Sequence, residues 1–363
     1  MRPRPRRITT ALLPLLLLAL AAAPTATGAD ASADFRTKRG LAYISQSHES
    51  DTRLLGSNAS EVSWYYTWSR NEARAVSLSP SSNTLRFVPM VHSLGDASSP
   101  DLLSSLDRLP PTSTHLLSFN EPDGEQHTGG SDAGPRDAAR AYIDHIAPLR
   151  DGGDGNGGNG RRRWRVSHPA VTGSPRGLEW LRAFNRSCYE LDRDRGCPAD
   201  FVAAHWYGEH DGLRGWLAQL RDFYTDTSSG APAAGRGGGA KPADLKVWVT
   251  ELALPQADAA ATLSMMRASL ALLDGEAWVG AYAWFGAFRA HEANAWTGDG
   301  VALLDEGGAL TDVGAAYLGG EGKGFRAGMT GDAAPGRDSG ARVRGAARWS
   351  VAAAVLAGAV VAC

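Results

Sequence analysis

The stretch LLSFNEPD, Leu116 to Asp123, decides how the chain is read. An apolar run of strand character stops at Asn120 and Glu121 and is broken by Pro122, which cannot donate to a sheet ladder. A carboxylate therefore stands where a strand ends. The run KVWVTE, Lys246 to Glu251, repeats the arrangement: β-branched and aromatic residues lead into a lone glutamate, and Pro255 follows soon after. One such glutamate is as readily a surface or helix-capping group. Two are what glycoside hydrolysis requires, one to protonate the leaving oxygen and one to attack or to activate water.

Working outward from these runs, similar β-rich segments recur at Gly40 to Ser45, Val62 to Trp68, Arg86 to His92, His115 to Glu121, Trp164 to Val171, Phe201 to Tyr207, Lys246 to Glu251 and Val279 to Phe285. Helical periodicity lies between most of them, clearest at Arg136 to Arg150, Gly177 to Leu191, Leu213 to Tyr224 and Ala257 to Asp274. Strands alternating with helices mean a parallel sheet, and eight such units in one domain predict a single (β/α)8 TIM barrel over residues 38–318. On this count Glu121 ends strand four and Glu251 ends strand seven, both at the C-terminal mouth where barrel enzymes build their sites. The Gly-rich inserts Asp151 to Arg163 and Thr227 to Asp244 follow helices and precede strands, which assigns them to the opposite face.

Period-two alternation groups Ala203, His205 and Tyr207 on one face of strand six, and Val247, Val249 and Glu251 on one face of strand seven. His205 and Tyr207 are then expected near Glu251. Strict alternation sends Asn120 opposite to Glu121, so both reach one substrate only if a bulge interrupts the strand end. Eleven tryptophans are available to stack on the apolar faces of sugar rings. Trp64, Trp68, Trp206, Trp284 and Trp296 fall near strand ends or in the loop after the last strand; the reading favours Trp206, Trp284 and Trp64 as substrate contacts. Trp164, Trp180, Trp216 and Trp278 are assigned to packing.

The two ends carry addresses. Arg2, Arg4, Arg6 and Arg7 precede an apolar run from Ala11 to Ala23 and a small-residue cleavage region, the pattern of a secretory signal over residues 1–29. Residues 319–341 read as a small, polar stalk, with Ser339 the expected attachment residue for a glycolipid (GPI) anchor, and residues 342–363 as the tail removed with it. The formal charge of −2 falls to about −9 once the four signal arginines and Arg342, Arg344 and Arg348 have left. Such an acidic chain has no electrostatic footprint for nucleic acid. Cys188 and Cys197 then remain as an even pair suited to a disulfide in an oxidising compartment, and Asn58 and Asn185 stand in N-glycosylation acceptors. No cysteine and histidine spacing suggests a metal site, and no cofactor is expected.

RGLAY at Arg39 to Tyr43, WYYTW at Trp64 to Trp68, FNEPD at Phe119 to Asp123, HWYG at His205 to Gly208 and VTEL at Val249 to Leu252 together resemble glycoside hydrolase family 128 over about Lys38 to Leu318. Relatives often carry Asn after the strand-one tyrosine, where this chain has Ile44. The resemblance implies a retaining β-1,3-glucanase without cofactor or metal, with Glu121 as acid/base and Glu251 as nucleophile. Asn120 would then bind the sugar 2-hydroxyl. The expected partners are a cell-wall β-1,3-glucan and, through the anchor, the outer leaflet of the plasma membrane; the expected state is a monomer outside the cell. Two alternatives stand beside this reading: a surface-anchored module that binds wall glucan without cutting it, and the same chemistry on another β-glucan.

Overall fold

The computed structural model describes residues 35–44, 48–77, 85–152, 161–225 and 245–335. The expected secretory signal, the anchor region around Ser339 and most of both Gly-rich inserts lie outside them. Eight parallel strands are observed: β1 (Arg39–Tyr43), β2 (Val62–Tyr66), β3 (Arg86–Phe87), β4 (His115–Leu116), β5 (Arg165–Val171), β6 (Phe201–Tyr207), β7 (Lys246–Ala253) and β8 (Val279–Ala287). They pair in the order β3-β2-β1-β8-β7-β6-β5-β4. The two terminal strands of that series meet through a parallel bridge between Met90 and Leu117, where Leu117 N–H donates to Pro89 O at 2.9 Å and Val91 N–H to Leu117 O at 2.9 Å. This contact curls the sheet into the expected (β/α)8 barrel. The strands β3 and β4 are shorter than their apolar runs, and Pro89, having no N–H, lies just beyond β3.

Strand parity sorts the side chains into two cores. Ala42, Trp64, Tyr66, Val88, Met90, Leu117, Ala170, Phe201, Ala203, Trp248, Ala281 and Ala283 face inward and fill the barrel. Leu41, Tyr65, Leu116, Val202, Val249 and Tyr282 face outward and pack with the helices. At the N-terminal end the interior is closed by aromatic rings, with Phe35 5.8 Å from Trp64 and 5.4 Å from Trp248, centroid to centroid. The Trp64 indole passes so close to β1 that a Cβ on Gly40 would stand 2.1 Å from it, which is why a glycine occupies the register position opposite.

The helices that brace the mouth start on strong caps. Helix Pro175–Leu191 has Pro at its first turn and a Ser174 hydroxyl accepting Gly177 N–H at 3.1 Å. In helix Ala259–Gly275 the Asp258 carboxylate accepts Ala261 N–H at 2.8 Å. Near its other end Lys38 donates to the carbonyls of Leu273, Asp274 and Glu276 at 2.8–3.0 Å, a cation at the negative helix pole. Cys188 at the end of helix Pro175–Leu191 is disulfide-bonded to Cys197, the pair that the sequence reading joins. Asn58 is exposed, whereas Asn185 is buried in that same helix.

Candidate active site

The chain leaves β4 through a short irregular stretch. Phe119 packs outward, Asn120 N–H donates to His92 O at 3.0 Å, and Glu121 N–H donates to Ala170 O at 2.7 Å on β5. Glu121 itself adopts a left-handed backbone with φ +36°, unusual for a residue with a side chain and costly by about 1–3 kcal/mol. The turn beyond it is tightly bonded, with Gly124 N–H to Glu121 O at 2.8 Å and Ala133 N–H to Pro122 O at 2.9 Å. This turn, rather than an inserted bulge residue, brings Asn120 and Glu121 to the same mouth.

A register shift is what positions the second glutamate. Along β7, Val247 and Val249 face outward and Trp248 inward, so simple alternation would turn Glu251 out. The pairing of β7 with β6 slips between Ala204 and His205, and with β8 between Val249 and Leu252. The irregularity at Thr250 restores Glu251 to the inside, opposite His205. The expected common face of Val247, Val249 and Glu251 is therefore wrong, whereas Phe201, Ala203, His205 and Tyr207 keep strict alternation on β6 and do meet Glu251.

These elements converge on one hydrogen-bonded cluster. His205, fully buried, brings Nδ1 to 2.8 Å from Glu121 Oε1 and 3.5 Å from Glu251 Oε2. Glu251 Oε1 accepts Trp68 Nε1–H at 2.7 Å and the Tyr66 hydroxyl at 3.4 Å, and its Oε2 accepts the Tyr207 hydroxyl. Indole N–H is a donor only, so Oε1 is held as an acceptor. Trp68 reaches this position from a left-handed backbone with φ +52°, the counterpart on β2 of the turn at Glu121. Asn120 donates through Nδ2 to Gly129 O at 3.1 Å, leaving its buried Oδ1 without a partner.

Burial and charge compete here. Burial by itself would lower the pKa of His205, but the charge of Glu251, followed by the hydrogen bond and charge of Glu121 and the charge of Asp123, raises it. Glu251 is pushed up by burial and by Glu121, against the opposing pull of His205, Tyr207 and Trp68. Tyr207 and Tyr66 lie well above the ordinary tyrosine value because they are buried beside Glu251, and so remain neutral donors. Donor atoms of Glu121, His205 and Glu251 all lie within 4.8 Å of one another, a set that could also hold a metal ion.

An aromatic wall surrounds Glu251. Trp68 packs on Tyr66 at 4.9 Å and on Phe285 at 5.9 Å, and Tyr207 contacts Phe285 at 5.8 Å and Trp296 at 4.6 Å. Trp296, 57% exposed, is the large apolar side chain most open to solvent among the described residues. Three tryptophans expected at the substrate are elsewhere. Trp64 is sealed inside the barrel floor, its Nε1 bonded to Lys38 O at 3.0 Å. Trp284 is fully buried on the outer face, bonded to Val301 O at 2.9 Å. Trp206 turns outward against Gly173 and Gly212 and bonds Glu209 O at 3.1 Å. Residues 64, 66 and 68 share the inner face; Trp64 stays in the floor, while the Tyr66 hydroxyl and Trp68 reach Glu251.

With this geometry in view, residues 40–317 match the family described as glycosyl hydrolase catalytic core. Alkali-sensitive linkage protein 1 of Schizosaccharomyces pombe is 27% identical over 290 residues, covering 77% of this chain but only 44% of the relative, so the chain spans less than half of that protein. Among solved structures, the glycoside hydrolase family 128 subgroup VI exo-β-1,3-glucanase of Aureobasidium namibiae superposes with a TM-score of 0.59 at 18% identity, covering 78% of this chain and 97% of the other. The subgroup III curdlan-specific exo-β-1,3-glucanase of Blastomyces gilchristii, in complex with glucose, gives 0.53 at 26% identity, with coverage of 78% and 97%.

Proposed function

Since the chain belongs to the glycosyl hydrolase catalytic-core family, we propose that it is a retaining glycoside hydrolase acting on β-1,3-glucan, with Glu251 as nucleophile and Glu121 as acid/base. The observation that carries this reading is the pair of strand-end carboxylates joined through one histidine, with donor atoms of all three residues within 4.8 Å. Retention needs carboxyl groups about 5–5.5 Å apart, whereas inversion needs room for a water between them.

In the first step Glu251 attacks the anomeric carbon and the glycosidic bond breaks as Glu121 passes its proton to the departing oxygen. The product is a glycosyl ester on Glu251 and a free sugar hydroxyl. In the second step water attacks the same carbon, its proton goes to Glu121, and the Glu251 carboxylate leaves. The donors Trp68, Tyr66 and Tyr207 orient the attacking carboxylate. His205 steadies Glu121 through both steps. Asn120, next to Glu121, is assigned to the sugar 2-hydroxyl, and the rings of Trp68, Phe285 and Trp296 offer faces for the pyranose.

The proposed setting is the cell exterior, where the Cys188–Cys197 disulfide is stable, with a cell-wall glucan as substrate, a glycolipid anchor near Ser339 holding the chain at the membrane, and a monomer as the working state. The test is reducing-sugar release from soluble β-1,3-glucan by the protein, by Glu121→Gln and by Glu251→Gln, with the anomer of the first product followed by NMR. Release lost in both variants and a β-anomer formed first are the expected results. Release by Glu251→Gln would sink the nucleophile, and an α-anomer formed first would sink retention.

A further inference from the structure

Trp296 stands open to solvent, yet its backbone is tied down from two directions. It lies in the segment that follows β8, between the short helical turns Ala290–Glu292 and Asp299–Val301. Within that segment, Asn294 Oδ1 accepts Trp296 N–H at 3.1 Å, Thr297 N–H at 2.8 Å and the Thr297 hydroxyl at 3.0 Å. Gln256 reaches across from the loop after β7. Its Nε2 donates to Ala295 O and to Trp296 O, each at 2.8 Å, and its own N–H donates to Thr297 O at 2.9 Å. At the base of the segment, Arg289 Nε and Nη2 donate to the two carboxylate oxygens of the buried Asp51, on helix Glu49–Leu55, at 2.6 and 2.9 Å.

The indole gains little burial from this fastening. Its ring meets that of Tyr207 edge-on at 4.6 Å, and the Tyr207 hydroxyl donates to Glu251 Oε2. An exposed aromatic plate is thus one side chain removed from the carboxylate assigned as nucleophile. Gln256 itself holds a left-handed backbone, φ +57°, which a glycine would adopt without strain. What glutamine adds there is its side-chain amide, and that amide is aimed at the two carbonyls beside the indole. Fixing the plate before a sugar arrives removes an ordering cost from binding; an indole on a loose loop would bear that cost with every substrate.

We propose that Gln256 is a positioning residue that holds Trp296 in place as a stacking plate for a glucosyl unit of the substrate. The inference rests on the reading of this mouth as a β-1,3-glucan site. β7 then has two parts in it: its end carries Glu251, and five residues further on its loop carries the tie that sets the plate.

Gln256→Gly tests it, because glycine suits the left-handed backbone, keeps the N–H bond to Thr297 and removes the amide; a Tm close to the parent is expected. Laminaritriose, a β-1,3-linked trisaccharide, is titrated calorimetrically into Glu121→Gln, which stops turnover, and into the same protein carrying Gln256→Gly, Trp296→Ala or both. Trp296→Ala should weaken binding about tenfold and Gln256→Gly about fivefold, with the double variant no weaker than Trp296→Ala alone. In the otherwise unaltered protein, Gln256→Gly should raise KM about fivefold with kcat little changed. Affinity unchanged in Gln256→Gly, or losses that multiply in the double variant, would overturn the proposal, since the amide would then not act through the indole. Failure of laminaritriose to bind Glu121→Gln at all would overturn it as well. The expected binding pattern in a protein that releases no reducing sugar would instead sink the hydrolase reading and leave this inference standing.

Discussion

Two buried histidines on neighbouring strands titrate in opposite directions. His168 on β5 points outward under the helices, where its ring bonds the Tyr224 hydroxyl at 3.0 Å and Cys197 O at 2.7 Å; burial pushes it down to about 4. His205 on β6 points into the barrel mouth, where burial acts in the same sense but Glu251 and Glu121 outweigh it. Residue type and depth are the same in both places. The difference lies in the neighbours: a hydroxyl and a carbonyl fix one ring as a neutral packing element, and carboxylates make the other a shared proton site. A buried histidine is therefore a functional signal only together with the charges it faces.

The sharpest way to break this comparison is to remove the carboxylate whose charge is the largest single pull on His205. Glu251→Gln is expected to lower kcat by about 10⁴ or more, with folding intact and the His205 imidazole titrating at lower pH. Single-turnover kinetics and NMR on one sample would check both.

The outer histidine gives the next largest effect. Its folded pKa is depressed, so its stability contribution is complete above the unfolded value of 6.5 and is lost as pH falls toward about 4. That gap is worth about 3 kcal/mol. Denaturant melts of the parent and of His168→Gln should converge over this range. Parallel curves would mean that the ring is not held neutral.

His205 should show the opposite slope. Its folded pKa is raised, so the stability it adds is complete below 6.5 and is lost as pH rises through the folded value. The stability gap between the parent and His205→Gln should accordingly narrow on going from acid to neutral and alkaline pH.

The smallest expected effect concerns one donor. Trp68→Phe keeps an aromatic ring beside Tyr66 and Phe285 but removes the N–H aimed at Glu251 Oε1. A fall in kcat of about 10–100-fold, with Tm nearly unchanged, is expected if that hydrogen bond orients the nucleophile. Unchanged kcat would reduce Trp68 to wall packing.

Much of the frame was legible in the residues alone. Pro122 and Pro255 mark where ladders end, β-branched runs mark the strands, and three- and four-residue periodicity marks the helices; these are local effects of backbone chemistry. The disulfide joins two cysteines only nine residues apart in the chain, and the inward set His205 and Tyr207 follows from alternation along β6. The two glutamates at strand ends are legible for the same reason. Trp68 was legible as an aromatic at a strand end, although its role as a donor to Glu251 was not.

Tertiary structure alone decided which side chains meet. Alternation misassigned Val247 and Val249 because the register of β7 slips at Thr250, and a slip is a property of pairing with β6 and β8, not of the β7 sequence. Trp64, Trp206 and Trp284 have the composition of a sugar-binding groove but not its depth or direction, since an indole serves a barrel floor or an outer layer equally well. The sequence by itself determined the existence and order of the eight strands and the two carboxylates near the C-terminal ends of the fourth and seventh, because those depend on neighbours along the chain. Only the barrel decided which groups meet in one cluster, because that depends on distances between residues 84 and 46 positions apart, from Glu121 to His205 and from His205 to Glu251.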